Sequence, residues 1–309
     1  MRPVDPARGP DPLARPGDYV RGVTAPRIAD VAFAELLTLE PHGPDTYVGT
    51  TARYPWGRRL YGGQVVAQAL RAASATVDPS RPAHSLHSYF IRPGTPDEPI
   101  RYEVERLRDG RSFSTRQVVA RQSAGAILNI SVSFQVVEDE ADVQVVSLPD
   151  GLPGPDDPAL LEHSWGSMLQ RRGMPLEGRV DRYGFWIRLD SVVAEDPFVR
   201  QCALAFVSDA APSRAARSPH PEAAGDITDR NRFQGASLDH AVWFHRPTDA
   251  SQWHWFDLTS HGLSGARGLV TGDVIRADGV HVASIAQEVL LRRVDDGVVV
   301  PPDMVPDNG

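Results

Sequence analysis

The stretch Gly62-Gly63-Gln64-Val65-Val66-Ala67-Gln68-Ala69-Leu70-Arg71-Ala72-Ala73 carries the clearest helical pattern in this chain of 309 residues. Its apolar residues recur at helical spacing after the glycine pair and predict a helix over 64–77. Segments rich in Val, Ile, Phe and Tyr follow, separated by Pro-Gly, Asp-Gly and Ala-Gly turn signals. They predict strands over 84–91, 99–108, 112–122 and 126–137. One helix and the strands that follow it predict a helix packed on an antiparallel sheet.

The same order of elements recurs in the second half of the chain. An apolar face predicts a helix over 196–209, and strands are predicted near 237–246, 252–260, 265–276 and 280–292. Phe90-Ile91-Arg92-Pro93 resembles Phe244-His245-Arg246-Pro247 at an offset of 154. Arg116 falls opposite Arg267 at an offset of 151, and Gln135 falls opposite Gln287 at an offset of 152. The near-constant offset favours duplication of one small domain and an α+β architecture in which a sheet wraps a helix twice.

Proline-rich stretches divide the chain. They predict a flexible tail over 1–28, a linker over 148–175 and a second flexible tail over 295–309, with the two repeats at 29–147 and 176–294 between them. The segment 210–236 makes the connection after the second helix much longer than its counterpart in the first repeat. Because it lacks a periodicity of its own, it is predicted to be a surface loop, of the kind that sometimes borders a binding site.

Composition excludes several classes of protein. The chain has no apolar run long enough for a membrane helix and no hydrophobic signal core near Met1, which favours a cytoplasmic protein. A single cysteine, Cys202, rules out an intramolecular disulfide and a Cys-cluster zinc site. The net charge of −8 argues against binding to nucleic acid. All 32 basic residues are Arg, so a phosphate-bearing ligand would be held by guanidinium groups or backbone N–H groups.

Familiar catalytic motifs fail on inspection. Gly262-Leu263-Ser264-Gly265-Ala266 lacks the final glycine of a nucleophile elbow and has no helix after it. Ser237, Asp239 and His240 have the residue types of a triad, but neighbours on one strand do not converge. No dinucleotide or phosphate loop is present, and no histidine pair has the spacing of a metal site on a helix.

A polar set in the second half remains as candidate chemistry. Asp209 ends the second predicted helix, where a carboxylate is unfavourable next to the helix dipole unless a partner or a function compensates. Gln287 shares a strand face with apolar residues, so its amide needs partners from another element. Ser237 opens the strand after the long loop. Each also has a plain structural interpretation: a turn residue, a buried amide satisfied by backbone, and a capping hydroxyl.

Four motifs remain to be explained: 60–69 (LYGGQVVAQA), 84–94 (HSLHSYFIRPG), 107–113 (LRDGRSF) and 237–247 (SLDHAVWFHRP). They resemble the acyl-CoA thioesterase II family, the TesB-like enzymes with a double-hotdog fold, and the likeness ends near 283–288 (ASIAQE). The resemblance covers residues 29 to 293. It implies two tandem hotdog repeats that form one extended sheet, with the catalytic residues in the second repeat.

The resemblance also implies an activity and its residues. The expected reaction is hydrolysis of acyl-CoA to a carboxylic acid and CoA, without a metal, a cofactor or a covalent intermediate. A carboxylate, a hydroxyl and an amide that orient the attacking water in the family correspond here to Asp209, Ser237 and Gln287. The register at Asp209 is the loosest of the three matches.

Substrate contacts follow less directly. Gly62 and Gly63 permit close approach of backbone to the substrate at the first helix, or they serve only as a tight entry to the helix. Cationic partners for the CoA phosphates are available, with Arg92 and Arg267 as the selected candidates; the full set is Arg58, Arg59, Arg92, Arg116 and Arg267.

Two alternative functions stay open on this fold. One is a non-catalytic acyl-CoA binding protein, and the other is a different hotdog enzyme such as an enoyl-CoA hydratase, which would need an Asp–His pair. Family likeness further implies a homo-oligomer, a dimer or tetramer of double hotdogs, and no membrane partner.

Overall fold

A computed structural model of the chain describes residues 25–55, 59–165, 169–173, 181–191, 193–223 and 233–293. The predicted tails 1–28 and 295–309 lie outside the described residues except for 25–28, where Ile28 is buried. The described residues include no helix that is both long enough and apolar enough to cross a bilayer.

The first repeat contains the predicted helix and its strands. In chain order its elements are α1 Phe33–Leu36, β1 Leu39–Pro41, β2 Thr46–Gly49, α2 Gly62–Ser74, β3 Ala83–Phe90, β4 Ile100–Asp109, β5 Phe113–Gln122 and β6 Gly125–Gln135. A short 3-10 turn at Ile28–Asp30 precedes them. The glycine pair thus lies inside α2 as its first turn rather than before the helix.

The second repeat follows the same plan with additions. Its elements are β7 Leu161–Trp165, β8 Leu169–Gly173, β9 Arg182–Leu189, α3 Pro197–Ser208, α4 Pro212–Arg217, β10 Phe233–Ser237, β11 Asp239–Phe244, β12 His254–Ser264, β13 Arg267–Arg276 and β14 His281–Arg293. A 3-10 turn lies at Pro221–Ala223. Asp196 caps α3 by accepting a hydrogen bond from the Phe198 N–H, and Pro197 at the first helical position fits that cap.

All the described strands form one antiparallel sheet. Its order is β1-β2-β4-β5-β6-β3-β11-β14-β13-β12-β9-β8-β7, with β10 paired to β14 off this path. The two repeats join where β3 pairs with β11, and His87 lies opposite Ala241 there. These two residues are separated by the repeat offset of 154, so an approximate twofold axis passes between them. The sheet wraps α2 and α3, as the resemblance to double-hotdog proteins implies.

The two central helices run antiparallel at the core of this sheet. Arg71 in the last turn of α2 lies 3.8 Å from Asp196 at the start of α3. At the other end, the Tyr61 hydroxyl donates to the Phe206 carbonyl at 2.6 Å, and the two rings meet edge to face. Both helices are almost fully buried, and burial of their apolar faces is the main stabilising contribution.

Three predictions about the second repeat and its connections need correction. Part of the predicted linker forms β7 and β8, which extend the sheet beyond β9. The predicted strand near 237–246 is broken at Leu238 into β10 and β11. The predicted loop over 210–236 contains α4, whose Pro212, Ala215 and Ala216 are buried, whereas residues 224–232 lie outside the described residues.

The strand register also corrects two of the sequence matches. Arg116 pairs with Val132 on β5 and β6, and the equivalent pair on β13 and β14 is Val270 with Gln287. Gln287 therefore corresponds to Val132 rather than Gln135, and Arg116 corresponds to Val270 rather than Arg267. The match of 90–93 to 244–247 has the correct offset.

Candidate active site

A cavity of about 500 Å³ opens between the two repeats. The first repeat contributes the entry to α2, the end of β3 and the residues after it; the second contributes the end of α3 and strand β10. Its lining residues are Arg59, Leu60, Tyr61, Gly62, Val65, Phe90, Ile91, Arg92, Pro93, Gly94, Ile127, Asp209, Ala210, Ser213, Gly235, Ala236, Ser237 and Leu238. An apolar wall with a few polar groups is typical of a site for a small molecule.

Asp209 is the acidic residue of this lining. It caps the C-terminus of α3, and its half-buried carboxylate meets the cavity on one side and packed protein on the others. Loss of hydration raises the pKa of Asp209 to about 7, although donors from Gln287, the Gly63 backbone and Ser237 oppose this shift. A carboxylate with this pKa can take up a proton near neutral pH.

Ser237 and Gln287 lie beside this carboxylate. The Ser237 hydroxyl, at the end of β10, is 3.4 Å from Asp209 Oδ1. The buried Gln287 side chain on β14 donates from Nε2 to Ser237 Oγ at 2.7 Å. Ser237 lines the cavity, whereas Gln287 lies behind it. The three residues predicted from the sequence therefore lie side by side. Asp209, whose match to the family is the loosest of the three, is among them.

The N-terminus of α2 faces the same carboxylate. The Gly63 N–H lies near enough to lower the pKa of Asp209, and a Cβ on Gly62 would lie 2.6 Å from Asp209 Oδ2. A Cβ on Gly63 would collide with the Phe206 carbonyl and the Tyr61 ring. Gly63 is therefore required for close packing of α2 against the end of α3, whereas the absence of a side chain at Gly62 leaves room for the Asp209 carboxylate. The Gly62 N–H lines the cavity and has no hydrogen-bond acceptor among the described residues.

One polar neighbour is missed by reasoning from sequence. His240, rejected above as a triad member, is fully buried on β11, with Nε2 2.7 Å from Ser208 Oγ. Burial lowers the pKa of His240 to about 4, and an interaction with Gln287 partly opposes this shift. Along one regular strand, Ser237 and His240 would face opposite sides of the sheet. The register shifts by one residue at Leu238, so both side chains lie on the side of Gln287.

The candidate arginines differ in position. Arg59 and Arg92 line the cavity; Arg92 donates to the Ala124 carbonyl at 3.0 Å, and neither forms an ion pair within the described part of the chain. Arg267 lies outside the lining and pairs with Glu288 at 2.8 Å. Arg58 lies outside the described residues.

Arg116 has a structural role in the first repeat. Its fully buried guanidinium donates to Thr76 O and Oγ1, beyond the end of α2, and pairs with Asp109 at 2.7 Å. Its burial excludes it from a phosphate site. At the positions equivalent to Asp209, Ser237 and Gln287 the first repeat has Ala75, Ala83 and Val132. The first repeat thus lacks the polar set, and the arginine occupies the neighbouring space.

Metal ligands are not grouped in the structure. The described ranges hold no set of three or more His, Cys, Asp or Glu side chains placed to bind a metal ion.

The fold and this cavity define a double-hotdog protein with a polar site between its repeats. Two family models, the N-terminal and C-terminal domains of acyl-CoA thioesterases, match residues 50–135 and 140–291. The chain belongs to this family of TesB-like acyl-CoA thioesterases. The resemblance seen in the sequence is confirmed.

Individual relatives agree. The chain is 34% identical to mouse acyl-coenzyme A thioesterase 8 over 308 residues, covering 89% of this chain and 93% of the relative. It is 33% identical to acyl-CoA thioesterase 2 of Haemophilus influenzae, covering 76% of this chain and 88% of that protein.

Solved structures confirm the fold. The acyl-CoA thioesterase II TesB2 of Mycobacterium marinum is 33% identical with a TM-score of 0.70, over 85% of this chain and 98% of that one. A hot dog protein of Alicyclobacillus acidocaldarius, 17% identical, has a TM-score of 0.68 over 85% of this chain and 98% of its own. The predicted double-hotdog fold is therefore confirmed.

Proposed function

We propose that this protein hydrolyses acyl-CoA thioesters to free carboxylic acid and CoA, with Asp209 as general base. The observation that carries the proposal is that Asp209 and Ser237 line the cavity directly beside the N-terminus of α2. A carboxylate whose pKa is near 7, beside a hydroxyl and a free backbone N–H, supplies what attack by water on a carbonyl carbon requires.

The step balances without a cofactor. Water, held by Asp209 and Ser237, adds to the acyl carbon while its proton passes to the Asp209 carboxylate. The carbonyl electron pair moves onto oxygen and returns as the carbon–sulfur bond breaks. Asp209 then gives its proton to the departing thiolate, so the acid and CoA leave and the carboxylate is restored.

The developing oxyanion needs donors. The Gly62 N–H is the candidate, because Gly62 lines the cavity at the positive end of the α2 dipole and its N–H has no acceptor in the described part of the chain. Gln287 keeps Ser237 and Asp209 in place from behind. Gly63 supports the carboxylate and does not meet the substrate.

CoA and the acyl chain occupy different parts of the cavity in this proposal. Arg59 and Arg92 receive the phosphate groups, because both line the cavity without a competing carboxylate. Val65, Phe90 and Ile127 form an apolar surface for the acyl chain. Arg267, paired with Glu288, is a weaker candidate than the sequence suggests.

The alternative functions receive less support. Binding without catalysis does not account for a carboxylate with a pKa raised into the neutral range on the cavity wall. A hydratase needs an Asp–His pair at the substrate, and no histidine is among the described residues that line the cavity. Assembly into dimers or tetramers and a cytoplasmic location stay predictions.

The proposal is tested by release of free thiol from acyl-CoAs of short, medium and long chain. We expect turnover by the wild type, and about a 100-fold or greater loss in Asp209→Asn and a smaller loss in Gln287→Ala. Circular dichroism checks that each variant is folded. Absence of turnover with every chain length, or full activity in a folded Asp209→Asn protein, would refute the assignment.

A further inference from the structure

Gln287 is held from two sides. On one side its Nε2 donates to Ser237 Oγ, and the same amide lowers the pKa of the neighbouring Asp209. On the other side lies His240, whose Nε2 is 2.7 Å from Ser208 Oγ. Ser208 directly precedes Asp209 in the chain. The polar contacts therefore form a closed circuit that runs from Asp209 through Ser237, Gln287 and His240 to Ser208 and back along the backbone.

Two buried polar atoms in this circuit have no hydrogen-bond partner at ordinary distance and angle within the described residues. Within the described residues, Gln287 Oε1 and His240 Nδ1 are the polar atoms of the circuit without a hydrogen bond of ordinary geometry. The amide end of Gln287 already faces the active carboxylate, so its oxygen faces away from it. A buried amide oxygen and a buried imidazole nitrogen are costly when unpaired, and each is the partner the other lacks.

We propose that His240 is a positioning residue that fixes the amide of Gln287 through a hydrogen bond from Nδ1–H to Oε1. This inference rests on the proposed thioester hydrolysis and deepens it. If the amide rotated by half a turn, its oxygen would face the Asp209 carboxylate, and Ser237 would donate to Gln287 instead of Asp209. The general base would lose two donors and gain a repulsive neighbour.

The arrangement gives every hydrogen bond in the circuit the same direction. Ser208 Oγ–H donates to His240 Nε2, His240 Nδ1–H to Gln287, Gln287 to Ser237, and Ser237 to Asp209. Ser208 has a second acceptor within reach, the Ala205 carbonyl at 2.9 Å. When Ser208 donates there, the other tautomer of His240 is favoured and the amide loses its anchor. The tautomer of His240 is thus coupled to the donors on the general base.

His240 acts in its neutral form. Burial lowers the pKa of His240 to about 4, and burial together with Asp209 raises the pKa of Tyr61 well above its usual range. Among the described residues, no charged side chain shifts the pKa of Asp209; the groups that act on it are Gln287, Ser237 and the Gly63 backbone. Between pH 5 and 9 the change of charge in this cluster is therefore that of Asp209.

The test uses three replacements that separate the two nitrogens of His240. His240→Asn places an amide donor where Nδ1 lies, His240→Gln reaches the position of Nε2 beside Ser208, and His240→Phe keeps the ring shape without either nitrogen. Ser88→Ala is the matched control, because the Ser88 hydroxyl donates to the His240 carbonyl at 2.9 Å and holds the same strand without touching Gln287.

We expect His240→Phe to lower kcat about 10- to 100-fold with little change in KM. His240→Asn should recover most of this loss and His240→Gln should not, whereas Ser88→Ala should keep wild-type kcat. In a Gln287→Ala background, His240→Phe should cause no further loss, because both changes remove the same interaction. Equal recovery by Asn and Gln, additive losses, or losses that simply follow Tm would overturn the assignment.

A second readout needs no substrate. The difference in Tm between each protein and its Asp209→Asn counterpart, followed against pH, reports the pKa of Asp209. That midpoint should move upward in His240→Phe and return in His240→Asn. An unmoved midpoint overturns the role of His240. If the wild type hydrolyses no acyl-CoA, the proposed function fails separately, and the midpoint alone decides the role of His240.

Discussion

A Cβ on Gly62 would lie only 2.6 Å from Asp209 Oδ2, and the neighbouring Gly63 backbone N–H lowers the pKa of the same carboxyl. This contact joins the first turn of α2 in one repeat to the end of α3 in the other. The sequence places Asp209 where the negative end of its own helix dipole is unfavourable, and antiparallel packing places the positive end of α2 against it. Burial still outweighs these donors, which leaves the pKa of Asp209 at about 7.

Replacement of Asp209 by Asn should stabilise the fold above neutral pH. Because the pKa of Asp209 rises from 3.8 to about 7 on folding, the folded state holds a proton that the unfolded chain has lost between these values. Wild-type stability therefore falls as pH rises through this window and is constant above it. The carboxylate keeps one side toward the cavity, so solvent screening limits the gain of Asp209→Asn to about 1–2 kcal/mol, or about 2–4 °C in Tm. Thermal unfolding at pH 4 and pH 8 measures it, and equal gains at both pH values would contradict the raised pKa.

The rate of hydrolysis should depend on pH through the same group. The general base works when Asp209 is ionised, so kcat/KM should fall about tenfold per pH unit below pH 7 and be constant above it. A profile from pH 5 to 9 checks this, with spontaneous hydrolysis subtracted at each pH. Residual activity of Asp209→Asn should lack this limb. A limb centred near pH 4 in the wild type would show that Asp209 has an ordinary carboxyl pKa.

Gly62→Ala should impair catalysis more than folding. The added methyl would lie 2.6 Å from Asp209 Oδ2 and 2.8 Å from the Phe90 ring, and both side chains can move away. Movement of the carboxylate misplaces the water, so we expect kcat to fall about 100-fold. Gly154→Ala is the control, because nothing lies within 4 Å of its added methyl. Wild-type kcat in Gly62→Ala would show that the close contact between Gly62 and the Asp209 carboxylate is not needed for the reaction.

Arg59 and Arg92 should contribute to the binding of CoA rather than to the chemical step. We expect Arg59→Gln and Arg92→Gln each to raise KM for acyl-CoA about 3- to 10-fold with kcat nearly unchanged. This is the effect expected when one charge-assisted contact with a phosphate is lost. Arg267 lies outside the cavity and is paired with Glu288, so Arg267→Gln should raise KM less than either of these replacements. Acyl-pantetheine lacks the nucleotide phosphates, so its KM should be the same in all these proteins. An equal increase with acyl-pantetheine would mean that the arginines act through the fold.

The sequence predicts the repeated elements well, because helical and strand periodicities are local properties. The matched 90–93 and 244–247 motifs predict the repeat, whereas the pairing of β3 with β11 is seen only in the structure. Strands β1, β2, β7, β8 and β9 are missed. The first four lie at the two edges of the sheet, where a short strand carries little apolar signal. The sequence matches Arg116 to Arg267 and Gln135 to Gln287, and both matches are wrong. An identical residue a few positions from the equivalent one cannot be told apart from a true repeat match without the strand register.

The candidate site is predicted in part, for the same reason. Asp209, Ser237 and Gln287 are identified through a resemblance that covers most of the chain. The free N–H of Gly62 and the contact of His240 with the circuit depend on how α2 meets α3 and where β10 gives way to β11. Those are long-range arrangements, and no local pattern in the sequence specifies them.

Arg116, one of the arginines considered for the CoA phosphates, should instead be required for stability. Its guanidinium satisfies the Thr76 carbonyl, the Thr76 hydroxyl and the Arg108 carbonyl inside the first repeat. Arg116→Leu leaves these groups without a donor, so we expect the free energy of unfolding to fall by about 2–4 kcal/mol, measured in urea. The KM of the remaining folded protein should match the wild type, since the guanidinium is buried away from the cavity. Unchanged stability with a raised KM would instead place Arg116 at the substrate.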